Sequence, residues 1–212
     1  MKALIVVDMQ NDFMPGGALG VAGADKLIPI INRVLPYFSL CVATLDWHPK
    51  NHVSFAASHP GKNIGDTIQV EGFPQVLWPV HCVENTPGAS PVSGLERSKF
   101  QAEFHKGSNP KIDSYSAFFD NARKRSTGLE DFLSKNNVKE VYLAGVATDY
   151  CVLYSALDAI DLGFDVYVIE DACAGIDLQK GDIQKSLNAI SAAGGRIIKS
   201  ADLQKSSSVF AQ

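Results

Sequence analysis

The chain returns repeatedly to short apolar runs with almost no polar alternation: residues 3–7, 40–45, 141–144, 166–169 and the pair Ile197-Ile198. A strand with one face in water alternates apolar and polar residues. Unbroken runs of this length therefore predict strands buried on both faces, as in a parallel sheet. Between them lie segments with helical spacing. Leu27, Ile28, Ile31, Val34 and Leu35 predict a helix over 24–38, with Pro29 tolerable only near its first turn. Residues 129–135 predict a short helix. The spans 149–162 and 180–193 close on Gly163 and Gly194-Gly195, glycine being favoured just past a helix end. This rhythm predicts an α/β domain of three layers, with a mostly parallel central sheet and helices on both faces. At 212 residues, 1–212 reads as a single domain.

One region breaks the rhythm. Residues 47–99 hold six prolines, no sustained period, four of the five histidines and both tryptophans. A long loop in a compact domain is usually functional or disordered, and disordered segments are poor in aromatics. The expectation is a folded excursion that builds part of a site. The tail from Ser206 reads as frayed.

Charge and targeting narrow the function. Nineteen basic against 23 acidic residues, with no single-sign run, leave no footprint for nucleic acid or anionic lipid. No stretch approaches the ~18 apolar residues of a membrane span, and the N-terminal apolar run is too short for a signal peptide. Cys41, Cys82, Cys151 and Cys173 form no C-x-x-C pair. The expectation is a cytoplasmic protein with free thiols, no nucleic-acid partner and no membrane partner.

In a parallel α/β sheet, ligands bind beyond the carboxyl ends of the strands. Asp8 follows the first run, Asp46-Trp47-His48 the second, and Gly145 to Cys151 the third. Glu103 to Gly107 reads as a further short strand ending at Lys106, with His105 on its opposite face. Cys151 stands just inside a predicted helix start, with Thr148 or Asp149 available as N-cap. A helix N-terminus and a nearby cation both lower a thiol pKa, and the turn's N–H groups could form an oxyanion hole. Against this stands the plain reading of Cys151 as a small core residue, which Cys41 and Cys173 keep. Asp8 could move the thiol proton, or merely cap a turn. Lys106 could hold the charged forms, or be solvated. A Cys–His pair ranks below Cys–Asp–Lys, because the histidines lie elsewhere. Asp46 and His48, two apart, emerge on one face of an extended chain. With a third ligand from His81, His52 or Cys82 they would suit Zn²⁺, Mn²⁺ or Fe²⁺. His59 reads as a surface residue. Phe13, Trp78 and Tyr115 could line an aromatic pocket or belong to the core. No phosphate-binding glycine motif occurs.

Six motifs in order resemble the nicotinamidase (pyrazinamidase) branch of the isochorismatase-like hydrolases, over nearly the whole chain. They are Val7-Asp8-Met9-Gln10-Asn11-Asp12-Phe13, Asp46-Trp47-His48-Pro49, Trp78-Pro79-Val80-His81-Cys82, His105-Lys106-Gly107, Asp113-Ser114-Tyr115-Ser116-Ala117-Phe118 and Gly145-Val146-Ala147-Thr148-Asp149-Tyr150-Cys151-Val152. The resemblance implies a catalytic triad of Asp8, Lys106 and Cys151, and metal ligands Asp46, His48 and His81. It implies one divalent ion, zinc ahead of manganese or iron, with His52 left open as a further ligand. A non-proline cis peptide would fall at Val146-Ala147, and the Ala147 and Cys151 N–H groups would form the oxyanion hole. Phe13, Trp78 and Tyr115 would bind the substrate. The implied reaction is hydrolysis of nicotinamide, or pyrazinamide-type analogues, to the acid and ammonia through a Cys151 thioester, in NAD salvage. Homo-oligomerisation is left open. The rivals on this fold are isochorismate hydrolysis and carbamoyl-amide hydrolysis; the cysteine and metal trio speak against the first, the metal trio against the second.

Overall fold

A computed structural model of the chain describes residues 1–203, so the tail expected to fray lies outside the described residues. In chain order the strands are β1 (Lys2–Val7), β2 (Leu40–Asp46), β3 (Thr67–Val70), β4 (Phe73–Val76), β5 (Ala102–Lys106), β6 (Glu140–Val146), β7 (Asp165–Ala174) and β8 (Arg196–Ile198). The helices are α1 (Leu27–Val34), α2 (Leu129–Lys135), α3 (Leu153–Asp161) and α4 (Asp182–Ala192).

Six strands form one sheet in the order β5-β2-β1-β6-β7-β8, and every neighbouring pair is parallel. The apolar runs account for this. In β1, Leu4 and Val6 pack with Leu27, Ile31 and Val34 of α1 on one face. Ala3, Ile5 and Val7 pack on the other with Leu129 and Leu133 of α2, Ala156 and Ala159 of α3, and Leu187 and Ile190 of α4. Each side chain of Leu or Ile size buried this way stabilises the fold by roughly 1.5–3 kcal/mol.

The predicted helix over 24–38 is broken into a 3-10 turn (Ala24–Lys26), α1, and a second 3-10 turn (Leu35–Tyr37). Pro36 lies in that last turn and cannot donate the N–H that would carry the α-helix on. The predicted helix over 149–162 instead opens as a wide π turn, Thr148–Val152, before α3 begins.

The excursion over 47–99 is not structureless. It holds an antiparallel hairpin of β3 and β4, joined by Glu71 and Gly72 at φ 52° and 84°. Two positive φ values in a two-residue loop are the signature of a hairpin turn whose twist suits the strands. Glu-Gly is not the Asn-Gly or Asp-Gly usually written there, and both strands are only four residues long, with half of their side chains exposed.

Chain direction determines where the site lies. From β1 the sheet extends one way through β2 and β5, the other way through β6, β7 and β8. The crevice beyond the carboxyl ends of β1 and β6 is thus the topological switch point, where open α/β sheets bind ligands.

Candidate active site

Each charged group of the centre stands at a strand end. Asp46 closes β2 and Lys106 closes β5, and the two are direct register partners. Asp8 follows β1, its N–H bonded to the Thr44 carbonyl of β2 at 3.1 Å, with φ 51°. Cys151 lies in the π turn after β6. The Val146-Ala147 peptide bond is cis, as the resemblance implied. The Ala147 carbonyl accepts the Tyr150 and Val152 N–H groups, which winds the turn tightly around Cys151.

Lys106 is the hub. Its Nζ lies 2.8 Å from Asp8 Oδ2 and 3.3 Å from Cys151 Sγ, donates to the Ser114 carbonyl at 3.0 Å, and makes a very short contact with Asp46 Oδ1. The Thr44 hydroxyl donates to Asp8 Oδ1 at 2.7 Å and so turns Oδ2 toward the lysine. Lys106 is 2% exposed, and a buried ammonium survives only when paired this fully.

The electrostatics differ from expectation at Cys151. Burial pushes the thiol well above its usual range; Lys106 pulls it down, but the Asp8 and Asp46 carboxylates push it up again. Burial and the two carboxylates thus work against the thiolate that a helix N-terminus and a cation alone would favour. Burial also raises Asp8, against the opposing pull of Lys106. For Lys106, burial favours loss of the proton, yet Asp46, Asp8 and Cys151 outweigh it and hold the ammonium charged well beyond its ordinary range. At Asp46 burial is again outweighed, by Lys106 and His48, and the carboxyl stays well below the usual carboxylate value.

The other oxygen of Asp46 faces two imidazoles, with Oδ2 at 3.5 Å from His48 Nε2 and 3.7 Å from His81 Nε2. Each ring is aimed by its far nitrogen: His48 Nδ1–H donates to the Gly107 carbonyl at 2.9 Å and His81 Nδ1–H to the Pro79 carbonyl at 2.8 Å. These bonds choose the tautomer that leaves both Nε2 lone pairs converging with a carboxylate oxygen, the arrangement of a metal ligand set with its outer shell in place. The donor set of one carboxylate and two imidazoles fits a divalent ion. Gly107 sits at φ 64°, and a Cβ there would stand 2.4 Å from the His48 ring.

His52 does not join this trio. It groups with His48 and Asp113 instead, its ring stacked on His48 at 4.2 Å and its Nδ1 bonded to Ser54 Oγ at 2.7 Å. Its Nε2 is buried without a hydrogen-bond partner, and burial lowers its pKa to about 4. His105 points away from the centre, stacked on Trp47 at 4.3 Å. His59 is half-buried, its Nε2 donating to the Val53 carbonyl. Cys82 is buried in the core beside the carboxylate of Asp12, which accepts its N–H at 2.7 Å. Asp149 is no N-cap: its carboxylate accepts the N–H groups of Ile176 at 2.9 Å and Asp177 at 2.7 Å, and so pins the loop after β7 over the site.

A chamber opens above the centre. Phe13, Trp78 and Tyr115 line it, together with Asp46, His81, Ala147 and Cys151. Thus the thiol and the imidazole–carboxylate cluster look into one space. Leu19, Asp113, Tyr150 and Ile176 line it too, and sequence reasoning missed them as lining residues. Tyr150 and Asp113 were within reach, the first beside Cys151 and the second opening the motif that holds Tyr115; Leu19 and Ile176 carry no local signal.

The chain matches the isochorismatase domain model over residues 2–202. It is 47% identical to a nicotinamidase of Acinetobacter baylyi over 95% of this chain and 94% of that protein. Among solved structures, a nicotinamidase/pyrazinamidase of Acinetobacter baumanii superposes with a TM-score of 0.93 at 46% identity, over 95% of this chain and 97% of that one. A pyrazinamidase of Pyrococcus horikoshii in complex with zinc gives a TM-score of 0.77 at 41% identity, over 93% and 98% of the two chains. The chain belongs to the isochorismatase family, among its nicotinamidases.

Proposed function

We propose that the protein is a cytoplasmic nicotinamidase of NAD salvage, a single hydrolase domain over residues 1–212 that converts nicotinamide, and pyrazinamide-type analogues, to the acid and ammonia. The observation that carries this reading is that Cys151, Asp46 and His81 line one chamber together with three aromatic side chains. Phe13, Trp78 and Tyr115 are its ring-binding walls. The kinship with nicotinamidases over nearly the full length supports it. Among the described residues, no helix is long and apolar enough to cross a membrane.

Asp46, His48 and His81 would hold one divalent ion, with zinc the reading that the P. horikoshii pyrazinamidase supports. When bound, the ion supplies a Lewis acid to anchor a ring nitrogen.

The chain's own groups carry the proton transfers. Burial disfavours a standing thiolate at Cys151, so Asp8 takes the Sγ proton as Sγ bonds to the carboxamide carbon. The Ala147 and Cys151 N–H groups receive the oxyanion, a role worth about 10²–10³ in rate per donor in comparable sites. Asp8 returns the proton to the amide nitrogen, the C–N bond breaks, and ammonia leaves a Cys151 thioester. Asp8 next takes a proton from water as its oxygen attacks the thioester carbon. Collapse breaks the C–S bond, restores the thiol and releases the acid. Lys106 stays charged throughout and holds Asp8 and Cys151 in contact.

The test is ammonia release from nicotinamide, before and after chelation and after adding back single metals. Release lost on chelation and restored by one ion supports the whole reading. Release that ignores chelation keeps the cysteine amidase and removes the metal. No release from metal-loaded protein rejects nicotinamide in favour of carbamoyl amides.

A further inference from the structure

No side chain of the hairpin β3–β4 belongs to either hydrophobic core, and isolated two-stranded hairpins are marginal in water. Of its eight strand residues only Gln75 is buried, at 2% exposure, while its neighbours Phe73 and Pro74 face solvent. A buried amide must have partners or cost stability. Gln75 has them at both ends. Its Nε2 protons are shared among the Val76 carbonyl at 2.8 Å, the Tyr115 phenol oxygen at 3.0 Å and Asp113 Oδ2 at 3.1 Å. Its Oε1 accepts from Asn121 Nδ2 at 3.3 Å, and Asn121 Oδ1 in turn accepts the Tyr115 N–H at 2.9 Å. The same phenol oxygen accepts Trp78 Nε1–H at 3.3 Å. Two walls of the chamber therefore meet at one oxygen, and Gln75 braces that oxygen from behind.

We propose that Gln75, carried in by the hairpin, is a positioning residue that fixes the Trp78–Tyr115 wall of the chamber and thereby sets how tightly an aromatic amide is held. The inference rests on the nicotinamidase reading for its substrate. Gln75 makes no hydrogen bond to Cys151, Asp8 or Lys106. Those three stand on separate strand ends, so the defect falls on binding and spares the chemical step. Asp113, a buried carboxylate the reaction does not use, is the charged partner that makes the donor, not the bulk, of Gln75 matter.

The experiment uses full-length, metal-loaded protein carrying Trp47→Phe, which leaves Trp78 as the sole tryptophan. Gln75→Met keeps volume and removes the donor; Gln75→Glu keeps shape and sets a carboxylate against Asp113. KM for nicotinamide is expected to rise about tenfold in Gln75→Met, the usual cost of one hydrogen bond, and further in Gln75→Glu, with kcat little changed. Acrylamide quenching of Trp78 is expected to increase in both. Tyr115→Phe, which leaves Gln75 in place, should raise KM similarly, and adding Gln75→Met to it should do little more, because both act through one oxygen. Wild-type KM with unchanged quenching, a fall in kcat at constant KM, or additive effects in the double variant each overturn the proposal. If the parent protein releases no ammonia from nicotinamide, the substrate reading fails by itself. The quenching arm then still decides the wall: increased quenching upholds the positioning role, unchanged quenching ends it.

Discussion

The two halves of the site are built by opposite means. Asp8, Asp46, Lys106 and Cys151 end or follow strands of one parallel sheet, and backbone register alone brings Asp46 beside Lys106. His48, His52, Gln75, Trp78 and His81 ride on the excursion, where short side-chain bonds to backbone carbonyls, to Ser54, or to Asp113 and Tyr115 set the geometry. The sheet half places charge in a dry core and tolerates no missing partner. The excursion half is stitched bond by bond, so single losses should be graded, and should fall on binding.

That contrast can be broken at its strongest point first. Cys151→Ala should cut kcat by at least about 10⁴-fold with unchanged circular dichroism, since a lost nucleophile leaves only binding and oxyanion stabilisation. Substantial residual ammonia release would remove the sheet half from the chemistry. Lys106→Met leaves two carboxylates buried without their cation, and should cost about 3–5 kcal/mol in chemical denaturation as well as activity. A variant as stable as the parent would show that the centre is less dry than its burial implies.

The excursion half predicts milder outcomes. His81→Ala should weaken zinc binding by more than about 100-fold in chelator competition, beyond what losing an outer-shell partner costs, while the apo protein keeps its melting temperature. Stoichiometric metal at unchanged affinity would take His81 out of the ligand set. An effect confined to acid pH is expected at His52, whose pKa of about 4 lies below its ordinary value. A lowered histidine stabilises the fold fully above its unfolded pKa and loses that contribution as pH falls through the folded value. Between about pH 6.5 and 4, the metal-free wild type should therefore lose on the order of 3 kcal/mol that His52→Gln does not lose. Parallel pH profiles for the two would mean that His52 is not buried neutral.

The same contrast governs what was legible beforehand. The sheet half could be read because buried parallel strands write unbroken apolar runs, and the residue after each run is placed by topology. The turn around Cys151 could be located but not its form: nothing local distinguishes a π turn from an α start, and Asp149, a good N-cap by type, spends its carboxylate on Ile176 and Asp177. Burial of Cys151 beside two carboxylates also reversed the thiol's expected shift, because a charge census needs the fold. In the excursion the histidines and aromatics could be flagged by type. The hairpin could not, since the alternation of β3 lasts only four residues, β4 carries a proline, and Glu71-Gly72 is not a usual turn pair. Gln75 carried no mark at all: its burial is decided by Asp113 and Tyr115, some 40 residues on.

Gly107 ties two distant words of the chain into one. Its carbonyl aims His48, its φ of 64° lies where side chains rarely go, and any Cβ would intrude on the His48 ring. A change at position 107 can persist only if position 48 changes with it, and position 48 is committed to Asp46 and His81. A side chain at 107 would therefore push the His48 ring out of its approach to Asp46, and the carboxylate–imidazole cluster would loosen from a position that touches neither Asp46 nor His81. The reverse path is open, because a small residue at 48 leaves Gly107 unharmed. The dependence runs one way: His48 needs the bare backbone of Gly107, and Gly107 needs nothing of His48.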